Sequence, residues 1–163
     1  MGVVAFAMGV EIERKFLVRD ESWHTPDLPF RHIRQGYLTP PDNPLSIRIR
    51  IVDQQTAVIT LKSTNESLSR DEYEYAIPLD DALALIVSAS GSLIEKTRFI
   101  RTEGDARWEI DRFEGENAGL VVAEIELACE DAPIELPDWI GEEVTDEARF
   151  GNASLSRLPF SRW

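Results

Sequence analysis

The stretch Glu11-Ile12-Glu13-Arg14-Lys15 places three charged side chains at alternate positions of a short segment. Because a β-strand sends alternate side chains to opposite faces, Glu11, Glu13 and Lys15 would share one face of a sheet. Charges of both signs on one face are suited to bind an anion and a metal ion together. The segment therefore predicts a strand that carries functional residues.

The same alternation of charged residues recurs in four later segments. They are Arg48/Arg50, Arg70/Glu72/Glu74, Lys96/Arg98 and Glu124/Glu126. The intervening positions are mostly aliphatic or aromatic, which by itself is typical of a sheet with one face on the core and the other in water. A solvated face usually also carries Thr, Ser, Gln and Asn, whereas these positions are almost all charged. The pattern taken together favours a functional face.

Eight segments are enriched in β-branched and aromatic residues and are separated by short, turn-forming connections, which favours antiparallel pairing. The predicted strands are Val10–Val18, Ile33–Leu38, Leu45–Val52, Thr56–Lys62, Ser69–Ile77, Glu95–Thr102, Ala106–Phe113 and Leu120–Ala128. We expect a mainly β (α+β) fold in which the eight strands close into an antiparallel barrel, a tunnel with a polar interior. A helix over Ala82–Ser90 and one or two short helices in the tail Glu142–Leu158 are expected to pack outside it.

The predicted interior holds equal numbers of basic and acidic residues. The bases are Lys15, Arg48, Arg50, Lys62, Arg70, Lys96 and Arg98, and the acids are Glu11, Glu13, Glu72, Glu74, Asp111, Glu124 and Glu126. Burying so many charges without a function would be very costly. A polyphosphate bound with Mg²⁺ or Mn²⁺ supplies a reason, since Arg and Lys bind phosphate oxygens and carboxylates bind hard cations.

Length and charge limit the other possibilities. A chain of 163 residues fits one domain, which we expect to span residues 10–163 after an N-terminal extension over residues 1–9. The net charge of −13 argues against nucleic acid and anionic membranes as partners. The single cysteine, Cys129, cannot form an intrachain disulfide, so the cytoplasm is the expected compartment. A monomer and a homodimer are both compatible with the sequence.

At these residues the chain resembles the CYTH superfamily, also called the triphosphate tunnel metalloenzymes. Its ExExK signature is matched by Glu11, Glu13 and Lys15, and the later charged pairs follow in the order of the family, together with the lysine of Thr60-Leu61-Lys62. The resemblance implies a β-barrel tunnel that binds a triphosphate and one or two divalent ions. It also implies hydrolysis of inorganic triphosphate to pyrophosphate and phosphate, as in the short bacterial members.

We therefore assign hypothetical roles to these side chains. Lys15, Glu11 and Glu13 are the predicted catalytic residues. The predicted substrate ligands are Lys15, Arg48, Arg50, Lys62, Arg70, Lys96 and Arg98, and the predicted metal ligands are Glu11, Glu13, Glu72, Glu74, Asp111, Glu124 and Glu126. Alternatives are a thiamine triphosphatase, a nucleoside triphosphatase, a class IV adenylate cyclase, and a polyphosphate- or nucleotide-binding module without turnover.

Overall fold

A computed structural model describes residues 12–63, 72–129 and 131–163 of the chain. It contains nine strands in one antiparallel sheet, in the order β5-β4-β3-β2-β6-β7-β8-β1-β9. The strands are β1 (Ile12–Val18), β2 (Phe30–Tyr37), β3 (Leu45–Val52), β4 (Thr56–Ser63), β5 (Glu72–Ile77), β6 (Ile94–Glu103), β7 (Ala106–Phe113), β8 (Val121–Leu127) and β9 (Ile140–Glu143). The helices are α1 (Leu79–Ile86) and α2 (Asn152–Arg157). Neither helix, nor any other described one, is long and apolar enough to cross a membrane.

The prediction of a closed eight-stranded barrel is wrong. Over the described residues, β5 pairs only with β4 and β9 pairs only with β1, so the sheet stays open at both ends. The reason is the ninth strand, because β9 occupies the edge of β1 that closure onto β5 would need. Arg14 on β1 holds β9 in place through Glu143, with Nη2 and Oε2 separated by 2.6 Å.

The missed strand β9 overlaps the tail that was predicted to be helical. Its four residues are too few to show a periodic pattern, and its pairing with β1 changes register between Phe16 and Val18. Gly141 lies close to β1, since a Cβ at this position would stand 3.0 Å from the carbonyl oxygen of Leu17. The strand is thus defined by its contact with β1 rather than by its own sequence.

The outer face of the sheet carries most of the apolar core. Helix α1 packs Ala82 and Ile86 against Ile49, Ile51 and Ala57 of the sheet. The helix begins at Leu79, earlier than predicted, and ends at Ile86 rather than at Ser90. A second cluster on the same face is mainly aromatic and consists of Phe16, Trp23, Phe99, Trp108, Ile110, Ala123, Ile125, Trp139 and Ile140.

Helix α2 corrects the expectation that all helices lie outside a polar interior. Ile94 shares a sheet face with Lys96 and Arg98, and at that end of the strands the charged face becomes apolar. Ile94 packs there with Phe113, Val122 and Leu155 of α2. The tail therefore covers one end of the charged face because that end offers apolar side chains to bury.

Gly36 on β2 gives a stability prediction for the packing under α1. A Cβ at this position would lie 2.8 Å from Leu93 Cδ2 and 2.9 Å from Ala89 Cβ, which is too close for both. We expect Gly36→Ala to lower the free energy of unfolding by about 1–3 kcal/mol, the usual cost of overpacking a core. Urea denaturation measures the change. Gly104→Ala is unsuitable as a control because the backbone of Gly104 has a φ of +58°, which strains any other residue. Ala76→Gly, at an exposed position of strand β5, is used as the control instead.

Candidate active site

The charged face of the sheet is concave and encloses one large groove of about 1290 Å³. Its lining comes from both halves of the sheet, which shows that the open sheet curves around a common space. Predicted site residues that line the groove are Glu13, Lys15, Arg48, Arg50, Lys62, Glu72, Glu74, Arg98, Glu124 and Glu126. The face assignment made from alternating charges thus brings ten predicted residues to one groove.

Four predicted residues stand apart from this lining. Lys96 and Asp111 belong to the same face but are only 1% exposed, and they lie beneath the surface of the groove. Glu11 and Arg70 lie outside the described residues, so the roles predicted for them stay predictions. The roles predicted for the other residues likewise rest on position and chemistry.

Arg50 is the most distinctive cation of the groove. Its Nε donates to Gln35 Oε1 at 3.1 Å, and it forms no ion pair with any residue in the described ranges. Burial lowers the pKa of Arg50 to about 10, and the nearby charges of Arg48 and Arg98 act in the same direction. A half-buried guanidinium that forms no ion pair is a suitable site for an anion.

Two further donors beside Arg50 are also available. Gln35 Nε2 and Arg48 Nε are buried and lack a hydrogen-bond partner in the part of the chain that is described. Leaving a buried donor unpaired costs about 1–3 kcal/mol, so native proteins retain such donors mainly where a ligand or water binds. Together with Arg50 they form a cluster of donors in or beside the groove.

Arg98 is held rigidly by a carboxylate beneath it. Its Nε and Nη2 donate to Asp111 Oδ1 and Oδ2, both at 2.7 Å, in a two-pronged ion pair. Lys96 Nζ also donates to Asp111 Oδ2 at 2.6 Å. Burial opposes the charge of Asp111, but Lys96 and Arg98 together hold the pKa of this carboxyl below its usual value. Asp111 is therefore fully engaged in ion pairs that orient bases of the groove.

Lys15 connects two carboxylates across neighbouring strands. Its Nζ lies 2.7 Å from Glu13 Oε1 and 3.4 Å from Glu124 Oε1. Burial opposes its charge, but Glu124 and Glu13 raise the pKa of Lys15 above its ordinary value, so it remains a cation near neutral pH. The ammonium thus joins carboxylates of β1 and β8 at the wall of the groove.

The carboxylates near Lys15 are chemically suited to bind a divalent cation. Glu13 lies directly opposite Glu126, and Glu109 directly opposite Glu124, in the strand register. Like charges placed opposite each other are destabilising unless a cation balances them, and carboxylate oxygens suit Mg²⁺ and Mn²⁺. No three acidic, histidine or cysteine side chains among the described residues are already gathered as a metal site.

Strands β3, β4 and β5 form the opposite wall of the groove. Arg48 Nη2 donates to Thr60 Oγ1 at 3.1 Å and lies 3.3 Å from Glu74 Oε1. Lys62 Nζ pairs with Glu72 Oε2 at 2.9 Å. Burial opposes the charge of Glu72, but the hydrogen bond and charge of Lys62 lower the pKa of Glu72. The bases of this wall are therefore oriented by neighbouring carboxylates.

Sequence reasoning missed several residues that lie in or beside the groove. Glu109 is not among the predicted site residues, yet it lines the groove and forms an ion pair with Arg98. Glu109 is two residues before Asp111 on β7 and therefore shares its face, and this spacing was the signal that could have included it. Gln35, Thr60 and Asn152 are neutral, so a pattern built on charges could not find them. Asn152 Oδ1 accepts from Lys96 Nζ at 3.2 Å, a contact that depends on where α2 lies.

A curved antiparallel sheet that gathers arginines, lysines and carboxylates in one groove defines a β-sheet protein built to bind a polyanion. Comparison with known proteins agrees with this class. The model of the CYTH domain matches residues 9–158, and the chain belongs to the CYTH family.

Curated relatives cover nearly the whole chain. An inorganic triphosphatase of Acetivibrio thermocellus is 39% identical over 157 residues, 96% of this chain and 99% of the relative. An inorganic triphosphatase of Nitrosomonas europaea is 36% identical over 149 residues, 90% of this chain and 96% of the relative. A crystal structure of an inorganic triphosphatase, 36% identical, aligns with a TM-score of 0.71 over 91% of this chain and 95% of that one.

Proposed function

We propose that the protein hydrolyses inorganic triphosphate to pyrophosphate and phosphate in the groove, with Mg²⁺ or Mn²⁺ as the cofactor. The observation that carries the proposal is Arg50, a half-buried cation with no ion pair among the described residues, beside the unpaired donor of Arg48. The curated relatives, which are inorganic triphosphatases, support the choice of substrate.

The substrate phosphates would lie between the two walls of the groove. Arg48, Arg50 and Lys62 approach from one wall, and Lys15 and Arg98 approach from the other. Phosphoryl transfer depends mainly on position and on stabilising the charge that spreads over the phosphate oxygens. The ion pairs of Arg98 with Asp111 and of Lys62 with Glu72 hold these bases in place before the substrate arrives.

The reaction consumes one water molecule. The water oxygen forms a bond to the terminal phosphorus, the bond from that phosphorus to its bridging oxygen breaks, and pyrophosphate leaves with the electron pair. The proton that the water oxygen loses passes to the leaving pyrophosphate or to solvent. Glu13, Glu124 and Glu126 are the described carboxylates proposed to bind the cation, which when bound would neutralise phosphate oxygens. Lys15, held between Glu13 and Glu124, is placed to contact the same phosphoryl group.

Phosphate release from inorganic triphosphate, ATP and thiamine triphosphate, with Mg²⁺ or Mn²⁺, tests the proposal. We expect metal-dependent turnover of inorganic triphosphate in preference to the other two, and its loss on addition of a chelator. Glu13→Gln removes one carboxylate charge at constant volume and should lower the rate strongly. Glu142→Gln, at an exposed position of strand β9, is the matched control.

Two results would contradict the proposal. Tight binding of inorganic triphosphate in calorimetry, without turnover of any substrate, would make the groove a receptor. Formation of cyclic AMP from ATP, with inorganic triphosphate left intact, would make the protein a cyclase.

A further inference from the structure

A second cavity of about 350 Å³ adjoins the groove at the end that α2 covers. Arg48, Lys62, Glu72 and Asn152 line both cavities, so the two meet at these side chains. The strand register places this cavity beyond Arg48, whose partner on β2 is Tyr37. The turn between β6 and β7 lies at the other end of the strands, and its residues line only the groove.

The two ends of the groove differ in charge. Among the described residues that line the second cavity, the charged side chains are Arg48, Lys62, Arg157 and Glu72, which are three bases and one acid. At the other end the lining includes three acids outside the predicted site: Glu103, Asp105 and Glu135. The base at that end, Arg107, is paired with Glu109. One end is therefore basic and the other is acidic.

This difference matters because the whole protein repels anions. With a net charge of −13, the long-range field disfavours the approach of a polyphosphate from most directions. A local basic opening can offset that repulsion and concentrate the anion close to the site. The acidic end has the opposite effect.

Arg157, the last residue of α2, has no role in the charge pattern of the sequence. Its guanidinium makes only long contacts within its own segment, from Nε to the Ala153 carbonyl oxygen at 3.3 Å and from Nη2 to Ser154 Oγ at 3.4 Å. It forms no ion pair with a residue that the structure describes, and it is exposed. A cation without a carboxylate partner among the described residues, at the basic opening, is available to bind an incoming phosphate.

We propose that the anionic substrate reaches the groove through the second cavity, and that Arg157 is the outermost phosphate contact on this route. The phosphate would pass from Arg157 to Arg48 and Lys62, which border both cavities. The inference rests on the proposed function for the identity of the anion, and it adds a direction of entry and a residue.

Reversing the charge of Arg157 tests the route. We expect Arg157→Glu to raise KM for inorganic triphosphate about three- to tenfold at low ionic strength with kcat unchanged, because the change weakens local attraction. The effect should fade at about 0.5 M salt, where screening shortens the reach of exposed charges. Arg162→Glu makes the same charge change in the same tail, at a residue that lines neither cavity, and should alter KM less than twofold.

The acidic end supplies the opposing test. Asp105→Lys adds the same amount of positive charge that Arg157→Glu removes, and we expect it to leave KM unchanged. A lower KM in Asp105→Lys together with an unchanged KM in Arg157→Glu would show entry from the acidic end and overturn the proposal. An equal rise in KM for Arg157→Glu and Arg162→Glu would show that only the net charge of the protein matters. This result would also overturn the proposal.

Calorimetric binding of inorganic triphosphate separates this inference from the proposed function. If the wild-type protein binds inorganic triphosphate but does not hydrolyse it, the proposed function fails. The dissociation constants of the Arg157→Glu and Arg162→Glu variants then take the place of KM. A dissociation constant raised only by Arg157→Glu supports the basic opening, whereas equal constants overturn it.

Discussion

Replacing Arg50 by alanine is expected to lower kcat/KM for inorganic triphosphate about 10²–10³-fold, the range seen when one preorganised donor to a reacting oxygen is removed. The guanidinium is half-buried and forms no ion pair within the described ranges, so its charge is available to the substrate. Alanine removes both the charge and the hydrogen bond that Arg50 Nε donates to Gln35 Oε1. Steady-state phosphate release measures the change, and thermal unfolding verifies that the variant is folded.

Two variants make this prediction specific. Arg50→Lys keeps the charge but loses the planar, two-pronged geometry of the guanidinium, so it should recover only part of the lost rate. Arg34→Ala removes an arginine from the neighbouring strand β2, where it faces away from the groove beside Glu95, and should leave kcat/KM unchanged. Arg50→Ala with activity within twofold of the wild type would remove Arg50 from the substrate site.

Replacing Asp111 by asparagine is expected to lower the free energy of unfolding by about 3–5 kcal/mol, the cost of removing one partner from a buried ion pair. The change leaves Lys96, which is 1% exposed, without its counter-charge, and it frees Arg98 from its two-pronged contact. Urea denaturation at neutral pH gives the difference. Glu109→Gln, which alters a partly exposed partner of Arg98, should cost much less.

The dependence of this difference on pH follows from the pKa of Asp111. Lys96 and Arg98 hold that pKa below the value of about 3.9 for an unfolded aspartate, so the carboxylate stabilises the folded protein above this value. The stabilisation is lost as the pH falls from about 4 toward the folded pKa. The stabilities of the wild type and Asp111→Asn should therefore converge below pH 4.

A double variant separates the ion pair from simple damage to the core. Lys96→Met combined with Asp111→Leu removes both buried charges and keeps most of the volume, so we expect it to be more stable than Asp111→Asn. It should still lose activity, because Arg98 would no longer be oriented. A double variant as unstable as Asp111→Asn would show that packing, rather than an unpaired charge, causes the loss.

The alternating charges predicted which side chains share a groove more completely than they predicted the fold. Side chains two residues apart on one strand must share a face, and this local rule placed Glu13 and Lys15 in the same groove as Arg48 and Arg50. The same rule could not predict how deeply each side chain is buried. Lys96 and Asp111 share the predicted face but lie beneath its surface, since neighbouring strands and α2 cover them.

The closure of the sheet could not be read from the strands themselves. Eight strands with a charged face are compatible with a closed barrel and with an open, curved sheet, because both satisfy the same alternation. The short strand β9 decides between them by pairing with β1, and it is held there partly by Arg14 and Glu143. These two residues are separated by more than a hundred positions, so no local pattern connects them.

The sequence by itself determined eight of the nine strands and the face that carries their charged side chains, because alternation and side-chain charge are local properties. Only the tertiary structure decided that the sheet is open, that Asp111 supports Lys96 and Arg98 beneath the groove, and that Arg157 borders a second, basic cavity. Each of these depends on contacts between segments that are distant along the chain, and such contacts are set by packing rather than by the pattern of any one segment.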